Sequence, residues 1–207
     1  MRNPLPPSLP PSLPRPTRAQ LAAAVSATLK DVITPGLDVL FCGINPGLYS
    51  GATGHHFARP GNRFWPALYA GGFTERVLAP REEQLLLERG VGITNIVART
   101  TATAAEVTRD ELIEGRRSLE RKVRRYPPRW LAVAGIGAYR VAFDSPRATV
   151  GPQERTIGPT RLWVLPNPSG LNAHHQPKDL ARAFRELHEA AATRAGAPST
   201  GLPGVPR

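Results

Sequence analysis

The chain is poor in cysteine and in lysine: it holds one cysteine, Cys42, and three lysines, Lys30, Lys122 and Lys178. A single thiol excludes an internal disulfide framework and an iron–sulfur cluster held by several cysteines of the chain. No run approaches the roughly 18 apolar residues of a membrane span. Prolines at every second or third position break up any signal-peptide core at the N-terminus. A cytoplasmic protein without membrane association is expected. No P-loop is present, and no GxGxxG follows a strand, which argues against a nucleotide-binding metabolic enzyme. Acidic residues are missing from two long stretches, between Asp38 and Glu75 and between Glu154 and Asp179.

What is present is basic charge. The 207 residues carry 27 Lys+Arg against 16 Asp+Glu, a formal net charge of +11. Such an excess favours polyanions, with nucleic acid first. The acid-free stretches hold His55, His56, Arg59 and Arg63 in one, and Arg155, Arg161, His174, His175 and Lys178 in the other. A surface that meets phosphates gains from excluding carboxylates, because like charges repel.

The pattern along the chain predicts one domain over 17–195 between a Pro-rich tail, 1–16, and a flexible C-terminal tail, 196–207. Thr17 can cap a helix running to about Lys30. Apolar runs at 37–43, 92–97, 130–135 and 161–166 read as strands. Helices are expected near 62–70, 80–89, 108–125, 138–143 and 177–193. Alternating strands and helices imply a three-layer α/β/α fold around a mostly parallel sheet of about four strands. In such folds ligands bind at the carboxyl ends of the strands. The loops after the first and fourth strands are therefore the places to look.

Those loops read Gly43-Ile44-Asn45-Pro46-Gly47 and Pro166-Asn167-Pro168-Ser169-Gly170-Leu171-Asn172. Asn45 and Asn167 each precede proline and are held out of helix at a strand end. Either loop alone reads equally well as an ordinary Asn-Pro turn. Two of them at matching strand ends are harder to explain that way.

Gly43-Ile44-Asn45-Pro46-Gly47 and Asn167-Pro168-Ser169-Gly170-Leu171 resemble the two signature motifs of the mismatch-specific uracil-DNA glycosylases. These are relatives of thymine-DNA glycosylase within the uracil-DNA glycosylase superfamily. The resemblance extends over most of 18–193 and includes the segment 53–65. It implies a base-excision enzyme that flips uracil out of duplex DNA, notably from G·U pairs, and hydrolyses its glycosidic bond without a cofactor. The partner implied is double-stranded DNA, and the enzyme is expected to act as a monomer. Asn45 would be the catalytic residue that positions water. Phe57 would stack on the flipped base, Ile44 and Phe57 would offer it backbone groups, and Ser50 would sit near its C5 substituent. Asn167 stands where better-known relatives carry histidine. Ser169, Gly170, Leu171, Asn172 and His174 would touch the DNA, with the 170–172 wedge filling the gap. The position often held by arginine is Ala173 here, so recognition of the orphaned guanine departs from the family pattern.

The chemistry can be argued from the residues as well. An amide cannot deprotonate water near neutral pH, so Asn45 can only orient it. The barrier must then fall mainly through stabilisation of the departing base anion. With no lysine in either loop, water rather than an amine is the expected nucleophile. His55-His56 and His174-His175 lack a neighbouring acid or thiol and suit metal poorly. Contacts from exposed histidine to phosphate or base are the expectation. The arginines of 116–129 share a helix with Asp110, Glu111, Glu114 and Glu120, and read as a solvated face laced with pairs such as Glu120 to Arg124. Cys42 and the three tryptophans read as core. A glycosylase for another lesion, such as hypoxanthine, and a catalytically silent damage-binding protein are the competing readings.

Overall fold

The computed structural model describes residues 15–170 and 176–193. The expected tails, apart from Arg15 and Pro16, and the 171–175 part of the second motif fall outside these. Five strands form one sheet: β1 (Val39–Gly43), β2 (Val91–Asn95), β3 (Trp130–Ala134), β4 (Gly151–Ile157) and β5 (Thr160–Leu165), in the order β2-β1-β3-β5-β4. β2, β1, β3 and β5 run parallel, and β4 pairs antiparallel with β5. The expected α/β/α class holds, with one strand more than expected. β4 is an edge strand whose middle is exposed, with a bulge between Gln153 and Thr156. Only its ends are buried, so Pro152, Glu154 and Arg155 make it read as loop.

The sheet buries both faces, and its side chains alternate between them. Val39, Phe41, Trp130, Ala132, Trp163 and Leu165 face one layer, with Phe64, Leu68, Phe184 and Leu187. Leu40, Cys42, Leu131, Val133, Leu162 and Val164 face the other, with Leu119, Val123, Tyr139 and Phe143. The first layer comes from α3 (Phe64–Ala70), α6 (Pro177–Ala192) and a 3-10 stretch, Pro80–Arg89. The second comes from α4 (Arg109–Arg125) and α5 (Ile136–Ala142). Burial pushes the Cys42 thiol well above its ordinary pKa, as befits a core residue.

Two local readings change. Thr17 caps α1 as expected, but the helix covers only Arg18–Ala23. Beyond it Ser26 turns into the left-handed region, and Val32 exchanges both backbone hydrogen bonds with Ile93, at 2.9 and 2.8 Å. Covering the outer edge of β2 outweighs the helix propensity of the alanines around 22–24. The Gly-rich loop after β1 holds a further short helix, α2 (Leu48–Thr53), closed by Gly54 in the left-handed conformation. Among the described residues no helix is long and apolar enough to cross a membrane.

Candidate active site

From β1 the chain crosses to β2 on one side, and from the neighbouring β3 it crosses to β4 and β5 on the other, so it leaves the carboxyl ends of β1 and β3 in opposite directions. A crevice opens at such a point. A cleft of about 320 Å³ lies there, lined by Gly43–Gly47 after β1, Asn95 at the end of β2, Ala134 at the end of β3, and Asn167 and Ser169 after β5. Ser50, His56, Phe57, Arg59, Asn62 and residues 101–104 complete it. The expected residues Ile44, Asn45, Ser50, Phe57, Asn167 and Ser169 thus share one cavity. Gly170 adjoins it, and Leu171, Asn172 and His174 lie outside the described residues. Among the described residues that line it there is no Asp, Glu or Lys.

Asn45 is held by its nitrogen. Nδ2 donates to Thr101 Oγ1 at 2.6 Å, to Pro46 O at 3.1 Å and to Arg99 O at 3.3 Å. Two of these acceptors are carbonyls, which cannot donate, so the orientation of the amide is fixed by chemistry. Thr101 passes its own proton to Thr103 O at 2.7 Å, which leaves its lone pair for Asn45. Asn45 Oδ1 makes no hydrogen bond among the described residues, so it remains an acceptor. Thr101 is fully internal and was missed in the sequence, because a threonine in a loop carries no signal until its partner is known.

The wall opposite is built from 55–57. Phe57 has φ +52° and stacks on Phe64, with ring centroids 3.9 Å apart. A non-glycine residue there is strained by about 1 kcal/mol or more. Ser50 is buried and accepts from Ala58 N at 3.2 Å. His56 corrects an expectation: it is only 2% exposed, so it is no surface phosphate contact. Its Nε2 faces Lys30 O at 3.0 Å and its Nδ1 faces Asn95 Nδ2 at 3.3 Å. Behind this turn, Glu83 accepts from His56 N at 2.8 Å and pairs with His55 Nδ1 at 3.0 Å. Asn95 and Glu83 were also missed, Glu83 because it enters from outside the acid-free stretch. Gly43 is needed where β1 ends. A Cβ there would overlap Asn95 Oδ1 and lie 3.3 Å from Phe57 Cζ.

The second motif loop leans on the first. Arg63 N donates to Pro168 O at 3.0 Å, and Arg63 Nη2 donates to Ser169 O at 2.7 Å. Gly170 packs on Gly61 so closely that a Cβ would overlap its carbonyl oxygen. Asn167 Oδ1 accepts from Ser169 N at 2.9 Å, which shapes its own turn. Elsewhere, Glu120 pairs with Arg116 at 2.7 Å and Arg155 at 3.5 Å rather than with the expected Arg124. β4, absent from the expected fold, brings Arg155 within its reach.

The family model of the uracil DNA glycosylase superfamily matches residues 30–188, which include β1 to β5 and the described part of both motif loops. The chain belongs to the uracil DNA glycosylase superfamily. The same fold is seen in an NMR structure from Methanosarcina acetivorans, a protein described as a candidate uracil DNA glycosylase. The two share 16% identity, with a TM-score of 0.52, over 79% of this chain and 99% of that one. Superfamily membership supports DNA glycosylase activity, hydrolysis of the bond between a base and its sugar, with DNA as the substrate. α1 lies outside the matched range, and the cleft lies wholly within it.

Proposed function

We propose that this superfamily member is a mismatch-specific uracil-DNA glycosylase, active on uracil opposite guanine and using water as its nucleophile. The observation that carries the reading is the state of Asn45. Its nitrogen is spent on three acceptors, and its oxygen is left to accept a hydrogen bond from water. A water held in this way keeps a lone pair directed at the sugar carbon, while the amide takes no proton. In this reading the flipped base lies against the Phe57 ring, beside Ser50, with the backbone of Ile44 and Phe57 at its edge. Asn95 offers an acceptor, Oδ1, to that edge, which suits the ring N–H of uracil. The absence of carboxylates from the described lining residues suits a base that departs as an anion. Both oxygens of Glu83 are occupied by the His55–His56 turn, and Glu83 is not among the described residues that line the cleft. The wedge of 170–172, and Leu171 above all, would fill the space the base vacates.

The same acceptor favours a second reading, since hypoxanthine also presents a ring N–H. The two separate on a panel of end-labelled duplexes treated with enzyme and then hot alkali. Scission at uracil in G·U, faster than in A·U, is expected. Scission at hypoxanthine alone would move the assignment to that lesion. Scission at none would leave a damage-binding protein.

A further inference from the structure

Glu83 is the single buried carboxylate among the described residues, 5% exposed, and it belongs to the Pro80–Arg89 stretch, which contributes nothing to the cleft lining. Burying a carboxylate costs several kcal/mol unless it is well paired. Here both oxygens serve the same turn. Oε2 takes the backbone N–H of His56 at 2.8 Å, and Oε1 takes His55 Nδ1 at 3.0 Å. That turn ends in the strained Phe57, which persists only if its surroundings over-determine it. It also carries the His56 ring, suspended between Lys30 O and Asn95. The Lys30 carbonyl can only accept, so His56 Nε2 carries the ring hydrogen and Nδ1 accepts from Asn95 Nδ2. With its nitrogen engaged, Asn95 has Oδ1 left for the cleft.

We infer that Glu83 is a positioning residue: by clamping the His55–His56 turn it keeps the His56 ring in register with Lys30 and Asn95, and so determines that Asn95 shows the base an acceptor and not a donor. Without the clamp the ring loses its register, and the Asn95 carboxamide is free to turn its nitrogen to the cleft. A base with a ring N–H would then lose a hydrogen bond, an effect of about tenfold. This inference rests on the proposed excision of uracil only for its effect on rate. The orientation of His56 can be read without substrate.

The test compares wild type, Glu83→Ala and Glu83→Gln. The ring 15N shifts of His56 should show one tautomer, Nε2–H, in wild type and a mixture in Glu83→Ala. Single-turnover excision of uracil should fall about tenfold in Glu83→Ala, with duplex Kd changed by less than about twofold. Glu83→Gln keeps an oxygen for His56 N and offers a donor to His55 Nδ1, so it should recover the single tautomer and most of the rate. Where Glu83→Ala does not fold, Glu83→Asp withdraws the carboxylate by one methylene and carries the same expectation. A single His56 tautomer and wild-type rate in the Ala or Asp variant would overturn the inference. So would a Gln variant as impaired as Ala at equal thermal stability. If wild type excises no base, the proposed function fails, and the ring signals alone decide the role of Glu83.

Discussion

The two motif loops meet in one cleft but are held in different ways. The loop after β1 is braced from three sides: Asn45 by the 99–101 segment, the 55–57 turn by Glu83, and His56 by Lys30. The loop after β5 is held against the loop after β1. Its ties include those to the first loop, through Arg63 and Gly61, and one within itself, through Asn167. Catalysis that works by orientation needs its groups fixed to within a fraction of an ångström before substrate arrives. A loop that inserts into DNA can be positioned less strictly. In the proposed function, the chemistry falls to the first loop and engagement of the duplex to the second.

The sharpest way to break this comparison is to substitute the two asparagines. Asn45→Ala should leave duplex affinity within about twofold and lower single-turnover excision by on the order of 10²-fold or more, because orientation of water is lost. Asn167→Ala removes the acceptor that shapes its own turn, so its cost to excision should be smaller than that of Asn45→Ala, on the order of tenfold. Equal losses in the two variants would mean that both loops carry chemistry.

Next come the glycines. Gly43→Ala forces a Cβ into Asn95 and Phe57, inside the braced wall, and overpacking of this kind costs about 1–3 kcal/mol. Melting temperature and excision rate should both fall. Gly170→Ala instead pushes the second loop off Gly61. It should weaken duplex binding and leave melting temperature nearly unchanged, since little core depends on that contact. A large drop in melting temperature for Gly170→Ala would show that the second loop supports the fold.

Much of this was legible in the chain, and what was not has a physical cause. The parallel strands are buried on both faces, so their apolar runs announce themselves, and Asn-Pro at two strand ends marks the cleft. β4 was hidden because an exposed, bulged edge strand has no apolar run. α1 was overextended because the pairing of Val32 with Ile93 is a long-range event that local propensity does not report. The residues that brace the site were invisible for the same reason. Thr101, Asn95 and Glu83 acquire their roles from partners 27 to 56 positions away. His56 looked like a surface histidine because a pair of histidines in an acid-free stretch says nothing of the carboxylate that arrives from outside it.

The smallest effect expected concerns acid, and it tests whether the bracing of the first loop reaches as far as α4. The Arg99 carbonyl is one of the three acceptors that hold Asn45. The Arg99 guanidinium is fixed in turn by Glu111, through a short bond from Nε and a second from Nη2 at 2.9 Å. Glu111 lies in the first turn of α4, where it also takes the Thr108 N–H at 2.9 Å. Arg99 first, and the Thr108 amide second, hold the Glu111 carboxyl down at about 2, from an ordinary 4.5. A carboxylate whose pKa is lowered by folding stabilises the native state above its unfolded value, and that contribution drains away as the pH falls. The window here runs from about 4.5 down to about 2. Glu82, held at about 2 chiefly by Arg76, titrates in the same window, but its partners are Arg76 and the Ala79 amide, and it makes no hydrogen bond to Arg99 or Asn45. Glu111→Gln and Glu82→Gln should therefore each melt below wild type at pH 6, by a margin that shrinks toward pH 3. At pH 7 the two should differ in function. Glu111→Gln should slow excision a few-fold through Arg99 and Asn45, whereas Glu82→Gln should match wild type. A margin that does not shrink with acid would show that Glu111 acts through its hydrogen bonds and not its charge. Equal rates in the two variants would show that the bracing of Asn45 stops at the Arg99 backbone.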